Sequence, residues 1–425
     1  MATTAPRESI SPEPSRRRFL KRVTGLGAAV AAGAARTGAG AAQSPAAVEK
    51  PAPDDPTKEL GGPVRPYGER SRFEKAVRQQ FPTKTNEASW TFTPLHESRG
   101  IITPSALHFE RHHAGVPDID PSKHRLMIHG MVNRPMILTM DEIHRFPSVS
   151  HIYFIECSGN SSREWAEPTA KGVQGTHGLT SCSEWTGVPL ALLLKEAGVQ
   201  QGATWIVAEG ADAAVMTRSL PMKKAMDDML VAYSQNGEAI RPEQGYPLRL
   251  VIPGWEGNSQ VKWLRRIKVV DKPYMTREET SKYTDLMPDG TARQFTFEME
   301  AKSVITYPSG GQKLPGPGFY EVTGLAWSGR GKIRSVEVST DGGKSWKPAH
   351  LQEPVLRFAH VRFRFPWKWD GQEAILQSRA TDETGYVQPR LADLVKIRGV
   401  NSNYHLNAIQ SWKVAAGGEV SNVHA

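Results

Sequence analysis

Cysteine is scarce in this chain: Cys157 and Cys182 are the only two among 425 residues. No C-x-x-C-H segment occurs, so c-type haem cannot be attached covalently here, and any haem belongs to another chain. Long hydrophobic runs are missing as well. No stretch approaches ~18 uninterrupted apolar residues, and the weakly apolar run 25–42 is dotted with glycine and carries Arg36, so no spanning helix is expected. Basic and aromatic residues are nowhere interleaved as in a single-strand nucleic-acid groove, which sets nucleic acid aside. No repeat of about 20 to 50 residues recurs, which excludes solenoids and propellers.

What is present begins with Ser15-Arg16-Arg17-Arg18-Phe19-Leu20-Lys21, standing before that small-residue run. Charge, apolar stretch and a small-residue site around Ala39-Gly40-Ala41-Ala42 occur in the order of a twin-arginine export signal. Residues 1–42 are therefore read as a signal peptide cut near Ala42 or Gln43, leaving a periplasmic protein with no stable membrane insertion. The signal also distorts the charge. Residues 1–42 hold seven Lys/Arg and two acidic residues, so only +4 of the formal +9 remains on the mature chain.

About 380 mature residues leave room for two or three domains. Residues 43–95 read as an N-terminal arm, at first rich in proline, alanine, glycine and charge. From 96 to 275 strand-length apolar runs (125–129, 151–155, 204–208, 248–252) alternate with helical segments (190–197, 222–229), which predicts a mixed α/β domain. Over 290–415 short alternating strands take over. Val361, Phe363, Phe365, Trp367 and Trp369 alternate with polar residues or proline, and Asp341-Gly342-Gly343 marks a turn. An immunoglobulin-like β-sandwich is predicted there, making the whole chain α+β.

Cys157 follows the run His151-Ile152-Tyr153-Phe154-Ile155 and opens Cys157-Ser158-Gly159-Asn160, so a thiol is offered where a strand ends in a glycine-containing loop. A soft thiolate suits a redox transition metal. Taken alone, the same residue could be a buried inert cysteine or half of a disulfide with Cys182.

Phe109-Glu110-Arg111-His112-His113 with Val116-Pro117, then Cys157-Ser158-Gly159-Asn160, then the segment from Tyr246 to Gly254, then Val261-Lys262-Trp263-Leu264 occur in the order found in the sulfite oxidase family, which the chain resembles from about His96 to Trp412. The resemblance implies a molybdenum–molybdopterin cofactor with Cys157 as the protein's metal ligand. It places His113, Asp212, Arg249 and Lys262 at the pterin and its phosphate, for which cationic side chains are suited. It also implies that Tyr283, 20 residues after Trp263, is the active-site tyrosine, and that Arg111 and Arg398 face an anionic sulfur substrate. Cys182 becomes an ordinary helix residue, and the sandwich a homodimerisation domain.

Four positions depart from the family. Gln244 stands where a histidine is common, Ser161 and Ser162 replace two arginines of animal sulfite oxidases, and a small residue near Gly175 replaces the pocket tryptophan. Less charge and less bulk imply a wider mouth, one that admits sulfur carried on a protein arm. With the export signal and the segment from Asn403 to Trp412, this points to a periplasmic branch of the family. Its implied activity is oxidation of carrier-bound sulfane sulfur in thiosulfate oxidation, with electrons passing to a separate c-type cytochrome subunit. Two alternatives stand beside it: a free-sulfite dehydrogenase on the same scaffold, and a non-enzymatic periplasmic binding module with a Cys157–Cys182 disulfide. The arginine-rich run 361–369 could face an acidic cytochrome, but a solvated strand face is the better explanation.

Overall fold

The computed structural model describes Thr57 and residues 60–400 and 403–425. The expected export signal and the first part of the arm lie outside the described residues. Within the segment ending at Arg70, Arg65 pairs with Glu69. The unit Ser71–Ala425 contains everything else. Among the described residues no helix is long and apolar enough to cross a membrane.

Residues 79–95, within the expected N-terminal arm, take part in a sheet. Gln79–Phe81 and Trp90–Phe92 pair antiparallel, and Glu110–Arg111 completes a three-stranded sheet. Phe81 stacks on Trp90 with ring centroids 4.4 Å apart, so aromatic burial anchors this strip.

Two five-stranded sheets build the α/β part. One contains Val149–Glu156, Thr180–Pro189, Leu230–Gln235 and Arg249–Val251. The other contains Leu126–Gly130, Trp205–Gly210 and Leu264–Val270, the last pairing parallel with the first. Helix Leu190–Ala197 fits the predicted segment because Leu190, Leu193, Leu194 and Ala197 recur at helical spacing and are all buried. Gly198, at φ 70°, ends it in the left-handed conformation that favours glycine. The predicted helix 222–229 is shorter, Met222–Ala225, since Leu230 already begins a strand buried on both neighbours.

The C-terminal part is a sandwich of a four-stranded and a five-stranded sheet. Val304, Val322 and Phe363 from one sheet pack with Val336, Leu376 and Trp412 from the other. Strand Val420–Val423 closes the second sheet, so the sandwich runs past the expected limit at 415. Along Val361–Trp369 the five apolar side chains point inward as the alternation requires. Arg362 breaks the pattern. It is buried and donates to the Ser98 and Gly100 carbonyls, at 3.0 and 2.9 Å, so it ties a loop to the sandwich and does not belong to a solvated face.

Candidate active site

Strand Val149–Glu156 delivers Cys157 to a loop that is pinned on every side. Cys157 N donates to the Leu179 carbonyl at 3.0 Å, and Asn160 Oδ1 accepts from Leu179 N at 3.1 Å. Beneath the loop the buried Glu156 carboxylate accepts from Asn160 Nδ2 (2.9 Å), from Lys302 Nζ (2.9 Å) and from Trp327 Nε1 (2.6 Å). Lys302 and Trp327 belong to the sandwich, so that domain holds the cysteine loop from below. Gly257 crosses close above: a Cβ there would lie 2.9 Å from the Glu156 carbonyl oxygen and 3.4 Å from Cys157 Cα. Any larger residue would push the loop away.

Cys157 lines two cavities. The first, about 680 Å³, is walled by Arg249, Lys262, Asp212, His108, Gln244 and Asn258 among others. Of its cations Arg249 is buried, and Lys262 and Arg111 are half-buried. Arg249 lies over the Trp185 ring at 4.8 Å and donates to the Gln244 carbonyl at 2.8 Å, and burial lowers its guanidinium to about 9. Lys262 donates to the Arg111 carbonyl (3.2 Å), His112 Nδ1 (3.0 Å) and the Glu243 carbonyl (3.0 Å). Burial, with Arg249 nearby, lowers its ammonium to about 7. Asp212 accepts from Met216 N at 3.1 Å. Gln244, in the place of the expected histidine, lines the cavity and donates to the Phe109 carbonyl at 2.9 Å.

The second cavity, about 960 Å³, shares Cys157, Arg111, His113 and Tyr283 with the first and adds Ser161, Ser162, Gly175 and Tyr404. His113 Nε2 and the Tyr283 hydroxyl share a hydrogen bond of 3.0 Å. Burial and the neighbouring Arg111 lower His113 to about 3, so its ring is neutral, while burial pushes the Tyr283 phenol far up and keeps it protonated. Arg111 stacks on Trp90 at 5.2 Å and donates to the Ala88 carbonyl at 3.2 Å. Ser161 and Tyr283 both occupy the left-handed region, at φ 68° and 51°, a strain that non-glycine residues carry mostly at functional sites. Ser161 Oγ is buried and has no partner among the described residues.

The structure thus gathers Cys157, Arg111, His113, Asp212, Arg249, Lys262 and Tyr283 around adjoining cavities. It does not bring Arg398 there. That side chain is buried at the end of helix Leu391–Arg398, facing Asp285 Oδ2 at 3.5 Å and Glu300 Oε2 at 3.4 Å, and lines neither cavity. Its two carboxylate neighbours satisfy the charge that an anionic substrate would otherwise meet.

Cys182 also departs from expectation. It is a strand residue, opposite Phe154, and packs with it in the core shared with the sandwich, while Cys157 packs against the cluster on the other face. Both cysteines are free thiols on opposite sides of the sheet, which removes the disulfide. Burial raises both thiols, Cys182 to about 12.

The residues present fit a molybdenum held by a pterin. In the first cavity His108 Nε2, Arg249 Nε and Asn258 Oδ1 are buried and have no partner among the described residues, leaving donors and acceptors for a polar heterocycle. The buried Arg249 and the half-buried Lys262 suit its phosphate, and a desolvated thiol needs a cation beside it to stay deprotonated. His108 and Asn258 carried no signal in the sequence. His112 stood inside a recognised motif with no role.

Comparison with known proteins agrees with this arrangement. Residues 113–278 match the oxidoreductase molybdopterin binding domain, and residues 293–411 the Mo-co oxidoreductase dimerisation domain. The chain is 31% identical to the sulfite oxidase of Gallus gallus, covering 83% of this chain and 80% of that protein. It is 30% identical to the mitochondrial sulfite oxidase of Rattus norvegicus and to an NADH nitrate reductase of Ulva prolifera, spanning 61% and 40% of their lengths. Among solved structures it is similar to the sulfane dehydrogenase SoxCD of Paracoccus pantotrophus, with a TM-score of 0.85 and 49% identity over 87% of this chain and 96% of that one. The chain belongs to the sulfite oxidase family of molybdopterin oxidoreductases.

Proposed function

We propose that this protein is a periplasmic molybdenum enzyme, exported by the twin-arginine route, that oxidises sulfane sulfur bound to a carrier protein in thiosulfate oxidation and hands electrons to a separate c-type cytochrome subunit. The observation that carries the reading is the position of Cys157 at the junction of a polar, cation-lined cavity and a second cavity that is small and uncharged at Ser161, Ser162 and Gly175, with Arg163 and Lys282 also lining it. The likeness to a sulfane dehydrogenase supports the same substrate class. The matched dimerisation domain supports a homodimer formed through the sandwich.

When bound, the cofactor supplies two-electron oxidation of sulfur with oxygen drawn from water. This chain's residues do the rest. Cys157 would hold the metal, Arg249 and Lys262 the phosphate, and Asp212, His108, Gln244 and Asn258 the edges of the pterin. Arg111 directs positive charge into both cavities and orients an anionic sulfur group at the thiol. Tyr283 keeps its proton and can donate a hydrogen bond from its hydroxyl, and the neutral His113 ring, 3.0 Å away, orients that hydroxyl. Arg398, pinned by Asp285 and Glu300, positions the segment that carries Tyr283 and does not meet substrate.

The test compares reduction of the holoenzyme by a protein-borne persulfide and by free sulfite. A kcat/KM at least about tenfold higher for the protein-borne sulfur supports the reading. The reverse order makes the protein a free-sulfite dehydrogenase.

A further inference from the structure

Lys262, in the loop before strand Leu264–Val270, is held by a row of distant groups. Its ammonium donates to His112 Nδ1 at 3.0 Å, and on the other side of the ring His112 Nε2 meets Glu110 Oε2 at 2.7 Å. Arg78 closes the row against the Glu110 carboxylate, with Glu243 at 3.6 Å from the same guanidinium. Lys262 can donate to Nδ1 only if that nitrogen keeps its lone pair, so the ring proton sits on Nε2 and points to the carboxylate. The three groups form one polarised line: carboxylate, neutral imidazole, ammonium. His112 is buried, and burial with Lys262 beside it lowers the ring to about 4, in keeping with that neutral form.

We propose that Glu110 and His112 are positioning residues that aim the Lys262 ammonium into the polar cavity and keep it charged for the anionic end of the cofactor, a phosphate monoester. The inference rests on the cofactor reading of that cavity. Its logic is electrostatic. Lys262 is half-buried among cations, with Arg249 and Arg111 opposing its charge and Glu110 and Asp212 favouring it. Around it stand the neutral His112, His113 and His108 rings, with Cys157 and Tyr283 on the same cavity and Arg78 and Glu243 beside Glu110. Burial lowers its ammonium to about 7, and the Glu110 and Asp212 carboxylates oppose that shift, Glu110 also being joined to it through the His112 ring.

The sign follows. A bound phosphate favours protonated Lys262, so cofactor affinity is full below the ammonium's own pKa and falls as pH rises beyond it. Removing the Glu110 charge lowers that pKa and moves the loss to lower pH.

The experiment measures the fraction of molybdopterin retained by the full-length holoenzyme after dialysis from about pH 6 to about pH 9, read as fluorescence of the oxidised pterin released. Glu110→Gln keeps size and an acceptor while removing charge. Its retention curve should shift to lower pH by about one unit, so that about tenfold more pterin is free at about pH 8. Lys262→Arg, which does not titrate in this range, should flatten the curve. His112→Asn should shift it in the same direction as Glu110→Gln. A Glu110→Gln curve superimposable on wild type, or a Lys262→Arg curve that still bends near neutrality, overturns the proposal. Wild-type protein carrying no pterin at any pH overturns the cofactor reading itself.

Discussion

Lys302→Met tests the link between the sandwich and the cysteine loop. The substitution removes the ammonium from a pair in which both side chains are almost fully buried, Glu156 at 0% and Lys302 at 1% exposure, 2.9 Å apart. Breaking a buried pair by deleting one partner costs about 3–5 kcal/mol, because the remaining charge stays desolvated. Here Trp327 and Asn160 still donate to the carboxylate, which favours the lower end, about 3 kcal/mol. The double variant Glu156→Gln/Lys302→Met has no charge left to strand and should recover most of that loss. Denaturant unfolding of wild type, both single variants and the double variant gives the coupling directly, expected at about 2 kcal/mol or more. Additive single effects, or a Lys302→Met protein within about 0.5 kcal/mol of wild type, would refute the reasoning.

Other expectations concern the site and acid stability. Cys157→Ser should abolish turnover while leaving the thermal midpoint within a few degrees of wild type, and full activity would remove the assigned role. Ser161→Arg/Ser162→Arg should narrow and charge the mouth, lowering kcat/KM for protein-borne sulfur by about tenfold or more relative to free sulfite; an unchanged ratio would show that the mouth does not select. Arg111→Ala should raise KM more than it lowers kcat, and equal kinetics would remove its anion-binding role. His360 is buried beside Thr180, 3.0 Å away, and burial lowers it to about 3. Its unfolded form takes up a proton near pH 6.5, so the stability it contributes is full above about pH 6.5 and is lost on acidification, by up to about 1.4 kcal/mol per pH unit. His360→Gln should reduce that slope, and a variant with the wild-type slope would contradict this.

Local features of the sequence carried local structure. The alternation of Val361 to Trp369 is that of a half-buried strand, and the leucine spacing of 190–197 is that of a helix with one buried face. Cys157 was legible because a strand, a thiol and a glycine loop are contiguous. The site as a whole was not, because residues as far apart as Trp90, Arg111, Cys157, Tyr283 and Tyr404 line one cavity. Reading them together depended on resemblance. Resemblance also misplaced residues whose roles depend on their neighbours: Arg398 is claimed by Asp285 and Glu300, and Cys182 is set in a strand by its pairing with Phe154. Arg362 shows the same limit, since no periodicity reveals that the Ser98 and Gly100 carbonyls await a guanidinium. The row Glu110, His112, Lys262 joins a strand edge to a loop some 150 positions on, beyond any local pattern.

The central claim is that the cation-lined cavity beside Cys157 holds a pterin-bound molybdenum. The most direct measurement is the molybdenum and pterin content of the mature protein, purified from a host that makes molybdopterin and exports folded proteins. The account predicts about one of each per chain. A well-folded protein free of both metal and pterin would contradict it.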